Sequence, residues 1–212
     1  MGPEFSGKRR EEDYPVTKGN RAPNIVLIMA DQLAPQFTGA YGHPVVKTPH
    51  IDALAGRGMR FDSAYCNSPL CAPSRFSFMS GQLVSRIGAY DNASEFSASV
   101  PTFAHYLKLM GYRTCLSGKM HFVGPDQMHG FEERMTTDIY PSDYAWTPDW
   151  ERTEERIDKW YHNMATVKEA GIGAATFQID YDEEVAFFAK RRIFDYARDD
   201  DQPFCLCLLY TS

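Results

Sequence analysis

Cys71-Ala72-Pro73-Ser74-Arg75 is the stretch of this sequence whose residue types can do chemistry at close range. Pro73 fixes the backbone ahead of a helix and Ser74 is placed to cap it. Cys71 then falls at the positive end of that helix, where an anion or a developing negative charge is stabilised. Arg75 adds a permanent cation with paired donors for an oxyanion. Residue chemistry alone leaves two readings side by side: a nucleophilic or modified cysteine in an electropositive turn, or an ordinary helix start with a buried thiol. Asp31, at the end of an apolar run, reads by itself as a strand-end turn residue.

These residues need elements to hold them. The run 24–30 (NIVLIMA) is continuous and apolar, as in a parallel strand buried on both faces. Thr48 and Pro49 open a helix with Ile51, Leu54 and Ala55 as its stripe, stopped by Gly56 or Gly58. Residues 60–66 read as a short strand and 74–80 as a helix ending before Gly81. Residues 101–110 form another helix, with Phe103, Leu107 and Met110 on one side and Gly111 as terminator. A strand follows at 112–116. The stretch 124–173 is rich in Pro, Trp, Tyr, Asp and His with little periodicity, which marks a binding region. From Asp182 a long amphipathic helix carries Val185, Phe188, Ala189, Ile193, Tyr196 and Ala197. The apolar strand 203–210 closes the chain. Strands alternating with helices predict an α/β fold with a mostly parallel central sheet flanked by helices. A sheet ending on an uncovered apolar strand is expected to be truncated, the N-terminal part of a larger domain.

Composition excludes some classes of function. A net charge of -6 argues against nucleic-acid binding, and any anion site must be a local basic pocket. No window approaches a membrane span, and residues 1–22 form a polar tail, expected to be disordered, without a signal-peptide centre. The expected location is cytoplasmic. With 5 Cys and no second pair for Cys66 and Cys71, the bland reading holds for Cys66, Cys115, Cys205 and Cys207: reduced core thiols.

Cys71-x-Pro73-x-Arg75, with Ser74 and the distal Gly81, resembles the signature of the sulfatase family, whose fold is that of the alkaline-phosphatase superfamily. Asp31 after the first strand and Ser117-Gly118-Lys119-Met120-His121 after a later one stand where that family places them. Open α/β sheets bind ligands at these carboxyl ends. The runs 65–71 (YCNSPLC), 88–92 (GAYDN), 124–131 (GPDQMHGF), 137–141 (TDIYP), 146–150 (WTPDW) and 160–164 (WYHNM) are similar to the choline sulfatase branch. The similarity runs from Pro23 to Leu206, so 23–212 is expected to be the N-terminal part of a sulfatase catalytic domain.

The resemblance implies a mechanism. Cys71 is oxidised by a maturase to formylglycine, which hydrates to a geminal diol. One hydroxyl, activated on Ca²⁺ or Mg²⁺, attacks sulfur and expels choline from choline sulfate. The second is deprotonated, and return to the aldehyde ejects sulfate. Asp31 and residue 71 are the implied metal ligands; Gln32, where many sulfatases have a second Asp, is left out. Lys119 and His121 bind sulfate oxygens, with His121 moving protons, and Arg75 holds the active-site charge. At the other end Trp146 stacks on the quaternary ammonium, with His162 beside it and Asn92 near the sulfate. Trp150, Trp160 and the tyrosines read equally as packing, and His105 as a structural histidine in its helix. Further metal and sulfate ligands of the family fall well downstream, so these 212 residues alone are expected to have little or no activity. Homo-oligomerisation of the full-length protein is left open. Two rival readings remain: another hydrolase of the superfamily, such as an arylsulfatase or phosphonate monoesterase, or a non-catalytic truncated domain in which Cys71 stays a thiol.

Overall fold

Strand β4 (Phe204–Tyr210), the last in the chain, lies at the centre of the sheet rather than at its edge. In the computed structural model, which describes residues 22–139, 168, 170–199 and 201–211, β4 is flanked by β1 (Ile25–Ala30) and β2 (Arg113–Gly118). A two-residue strand, β3 (Glu133–Arg134), pairs with β2, giving the order β1-β4-β2-β3 with every pair parallel. Of the expected tail over 1–22, only residue 22 is described.

Side chains of β4 alternate between two cores, as a pleated strand requires. Cys205, Cys207 and Leu209 pack with Ala72, Phe76, Phe96 and Phe122. Phe204, Leu206 and Leu208 pack with Cys115 and with Ala189 and Tyr196 of the long helix α5 (Phe177–Arg198). That helix starts earlier than its apolar stripe, because the Thr176 side chain accepts from the Ile179 N–H and Asp180 meets the positive helix end. Ser117 Oγ donates to the Val185 carbonyl at 3.0 Å and ties α5 to β2.

The opposite face carries α2 (Cys71–Ser80) and α4 (Phe103–Leu109), with the short α3 (Val84–Ile87) between them in sequence. Phe76 stacks on Phe96 with centroids 4.5 Å apart. Helix α4 is closed at its start by a capping box between Thr102 and His105, the structural histidine expected there. Met110, expected on its buried side, is exposed.

Other expectations need correction. Strand β1 is an edge strand, so Val26 and Ile28 face outward at 48% and 64% exposure instead of being buried on both faces. Residues 60–66 form no strand, having no ladder to join. They are held instead by Arg60 Nη1 on the Ala40 carbonyl and Tyr41 Oη on the Phe61 carbonyl. Helix α1 (Pro49–Arg57) starts after Thr48 and stops before Gly58, but its Ile51 and Leu54 are exposed. Cys66 is exposed, while Cys115, Cys205 and Cys207 are buried; all are free thiols. No helix among the described residues is long and apolar enough to cross a membrane.

His129 is fully buried, its ring 4.3 Å from that of Phe96 and 4.5 Å from that of Phe122. Burial pushes its pKa down to about 4 although Asp126 pulls the other way. The folded chain therefore resists a proton that the unfolded chain accepts near pH 6.5, so the stabilisation is complete above that pH and is lost as pH falls towards 4. The loss is at most about 3 kcal/mol. Urea denaturation at pH 7 and pH 5 is expected to show this, and His129→Asn, which tolerates the positive φ, is expected to flatten the slope. An unchanged slope in that variant contradicts the assignment.

Candidate active site

The parallel register brings the ends of β1 and β2 to either side of the end of β4. Asp31, directly after β1, donates its N–H to the Tyr210 carbonyl at 3.1 Å, and Lys119, directly after β2, donates to the Leu209 carbonyl at 3.1 Å. Two residues 88 apart in sequence are thereby fixed across one strand end. Gly118 makes the turn possible: its φ is 110°, and a Cβ there would collide with the Leu209 carbonyl oxygen.

Helix α2 supplies the third wall. It begins at Cys71, not at Ser74, and Ser74 is an interior residue whose N–H bonds the Leu70 carbonyl at 3.0 Å. Pro73 is tolerated because N–H groups of a first turn have no intrahelical partner. In place of an N-cap side chain, Asn92 Oδ1 accepts from the Ala72 N–H at 3.0 Å. Asn92 therefore stands beside Cys71 and braces the helix mouth. Arg75, one turn on, lies on the same face as Cys71.

At the centre is one carboxylate between two cations. Asp31 Oδ1 accepts from Arg75 Nη2 at 2.7 Å and Oδ2 from Lys119 Nζ at 2.5 Å. The Arg75 and Lys119 side chains are 3% and 1% exposed, and Asp31 is 10% exposed. Burial alone would raise the Asp31 pKa, but the hydrogen bonds and charges of Lys119 and Arg75 hold it below the usual carboxylate range. Cys71 Sγ lies 3.8 Å from Asp31 Oδ2 and 3.6 Å from Lys119 Nζ. Arg75 Nη1 also donates to the Lys119 carbonyl, locking the two cations together. The cluster carries one net positive charge beside a helix N-terminus, an arrangement that holds an anion.

A cavity of about 280 Å³ opens over this cluster, lined by Met29, Asp31, Cys66, Cys71, Ser74 and Arg75 among others. Cys66, assigned to the core from sequence, lines the cavity mouth instead. His121 is buried with φ 57° and donates its backbone N–H to Asp138 Oδ2 at 2.6 Å. Burial pushes its pKa down to about 4, with Lys119 and Arg75 adding to the shift and Asp138 opposing it. The imidazole therefore resists protonation near neutral pH. Asp138 carried no role in the sequence reading, although it lies in the run 137–141 that the family resemblance drew on. Trp146 and His162 lie outside the described residues.

A divalent cation finds one carboxylate here. Among the described residues no group of three or more His, Cys, Asp or Glu is placed to hold a metal. Both oxygens of Asp31 already accept from cations, and a hard ion takes six or more oxygens. The described residues do not fit a complete metal site. The Cys71 thiol stands at the cavity wall, 3.6 Å from Lys119 Nζ.

The family model described as Sulfatase matches residues 23–212. The choline-sulfatase of Rhizobium meliloti (strain 1021) is 52% identical over 193 residues, covering 89% of this chain and 38% of that protein. The N-acetylglucosamine-6-O-sulfatase of Bacteroides thetaiotaomicron is 30% identical over 193 residues, 91% of this chain and 31% of its own length. The chain thus spans well under half the length of these relatives. The crystal structure of the phosphonate monoester hydrolase of Agrobacterium radiobacter superposes with a TM-score of 0.62 at 23% identity, over 90% of this chain and 41% of that one. That likeness establishes the fold.

Removing the shared anion takes the carboxylate partner from each of two buried cations. Asp31→Ala is expected to destabilise the chain by about 3–5 kcal/mol in urea denaturation. Adding Lys119→Met is expected to recover part of that loss. A single variant within about 1 kcal/mol of wild type contradicts the buried pairing.

Proposed function

Because the chain belongs to the sulfatase family, we propose that it carries the nucleophile and part of the sulfate-binding charge of a choline-sulfate hydrolase. The observation behind this reading is the position of Cys71: at the mouth of α2, 3.6 Å from the Lys119 ammonium and next to the Arg75–Asp31 pair. An acceptor for a sulfuryl group needs this combination of exposure to a cavity and fixed positive charge.

In this proposal Cys71 is converted to formylglycine by a maturase. The hydrated aldehyde supplies one hydroxyl to attack sulfur and a second whose deprotonation releases sulfate. The chain's own residues do the rest. Lys119 and His121 hold the sulfate oxygens, Arg75 holds the hydroxyl of residue 71 and the charge that develops, and Asp31 keeps both cations in place. Neutral His121 moves a proton between the nucleophile or the leaving oxygen and solvent. Asn92 holds the helix mouth against the sulfate. Asp31 and residue 71 would be this chain's contribution to a divalent cation, Ca²⁺ or Mg²⁺, which would need further ligands and the release of one of the Asp31 cation contacts.

The choline end rests on the 52% identity to a choline-sulfatase and on Trp146 and His162, which the sequence resemblance assigns to the ammonium. A second reading, hydrolysis of a different sulfate ester, is favoured by the 30% identity to an N-acetylglucosamine-6-O-sulfatase over the same length of chain. The cation cluster suits both substrates, since it meets only the sulfate.

In the full-length enzyme, Cys71→Ala is expected to abolish sulfate release from choline sulfate, and Trp146→Ala to raise KM for choline sulfate about 10-fold or more while sparing an aryl sulfate. Steady-state kinetics on both esters is the measurement. Undiminished turnover by the Cys71 variant contradicts the nucleophile, and equal effects of the Trp146 variant on both esters favour the second reading.

A further inference from the structure

The loop that presents Lys119 and His121 is held by side chains from the segment after β3. Backbone pairing between β2 and β3 covers Cys115 with Glu133 and Leu116 with Arg134, and the Met135 N–H still reaches the Leu116 carbonyl at 2.8 Å. Beyond that point side chains take over the ladder. The Gly118 N–H donates to Thr136 Oγ1 at 2.9 Å, and the Met120 and His121 N–H groups both donate to Asp138 Oδ2, at 3.0 and 2.6 Å. One carboxylate oxygen thus gathers two successive amides of the turn, a small nest around an anion.

Three features set this clamp apart from an ordinary buried ion pair. His121 sits at φ 57°, a conformation that a non-glycine residue keeps only when its surroundings impose it, and the bond to Asp138 does so. The Asp138 side chain is 2% exposed, with Arg134 Nη2 at 3.2 Å as countercharge. Arg134 is itself fixed, donating from Nη1 to the carbonyl and Oε1 of Gln127 at 2.9 Å each and from Nε to the Thr136 carbonyl, with its guanidinium over the Phe122 ring. Finally, the clamped amides flank the one residue whose ammonium lies against both Asp31 and Cys71. Lys119 is thus fixed by the Leu209 carbonyl at its N–H, by Arg75 at its own carbonyl, and by Asp138 at the N–H of that same Lys119–Met120 peptide.

We infer that Asp138 is a positioning residue for the sulfate end of the site: its carboxylate sets where the Lys119 ammonium and the His121 imidazole stand, through the two amides it holds. The inference rests on the functional reading above. Asp138→Asn removes the anion but not the shape, and displacements of an ångström at a reacting centre cost about 100-fold in rate. In the full-length enzyme the variant is expected to lower kcat for the sulfate ester by about 10- to 100-fold, with KM changed by less than about 3-fold. If Asp138 acts through Lys119, the same substitution in a Lys119→Ala background is expected to cost little more, because coupled residues do not add.

Steady-state kinetics on wild type, both single variants and the double variant reads all of this. A wild type that turns over no sulfate ester sinks the functional reading, and this inference with it. An active wild type whose Asp138→Asn variant keeps kcat within about 2-fold overturns the inference alone, as does a full and independent loss in the Lys119→Ala background. Should Asp138→Asn fail to fold, Asp138→Glu is read instead, keeping the charge for Arg134 but moving the carboxylate by one methylene. A kcat loss of about 10-fold there supports the clamp, and an unchanged kcat overturns it.

Discussion

A buried carboxylate shared by two buried cations holds the rest of this structure in relation. Moving Arg75 and Lys119 out of water costs several kcal/mol each, and Asp31, accepting from one on each oxygen, is the shared anion that offsets that cost. The three groups come from three different elements: the end of β1, the first turns of α2 and the end of β2. Each element is placed by its own apolar packing, and the charges then fix their relative positions at the carboxyl edge of the sheet. The surplus positive charge is what makes the cavity above them a place for an anion.

Local chemistry serves that arrangement. Helix α2 presents Cys71 in its first turn and Arg75 one turn later, and Asn92 supplies the capping contact that the residues before the helix lack. Gly118 lets the chain turn directly over the Leu209 carbonyl, so the lysine emerges beside the strand end instead of beyond it. His121 follows in a left-handed conformation with a depressed pKa, and so remains neutral next to two cations. These features are consistent with a site built to receive charge from a ligand rather than to supply it.

Much of the fold could be read in the sequence because apolar pattern dominates it. The strands at 24–30 and 203–210, the helix after Thr48 and the long amphipathic helix all follow from periodicity and caps. The misreadings have a common cause. Residues 60–66 have strand-like composition but no free ladder. Helix α2 starts early because its brace, Asn92, comes from 20 residues further along the chain. Cys66 looks like a core thiol until the loop that carries it is seen at the cavity mouth. In the site, the Cys71–Arg75 motif was legible as a thiol and a cation at a helix mouth, while their sharing one helix face came from the earlier helix start. The meeting of Asp31 with Lys119, and of Asp138 with the 120–121 amides, depends on sheet order, which no local pattern encodes. Trp146 and His162 stand outside the described residues, so the ammonium end rests on sequence similarity.

The central claim is that residue 71 is an oxidised side chain in the working protein. Mass analysis of the peptide containing residue 71, isolated from protein co-expressed with a formylglycine-generating maturase, tests it most directly. The account predicts that oxygen has replaced sulfur and that the peptide reacts with an aldehyde-specific hydroxylamine probe. An unmodified, alkylatable thiol at position 71 under those conditions contradicts it.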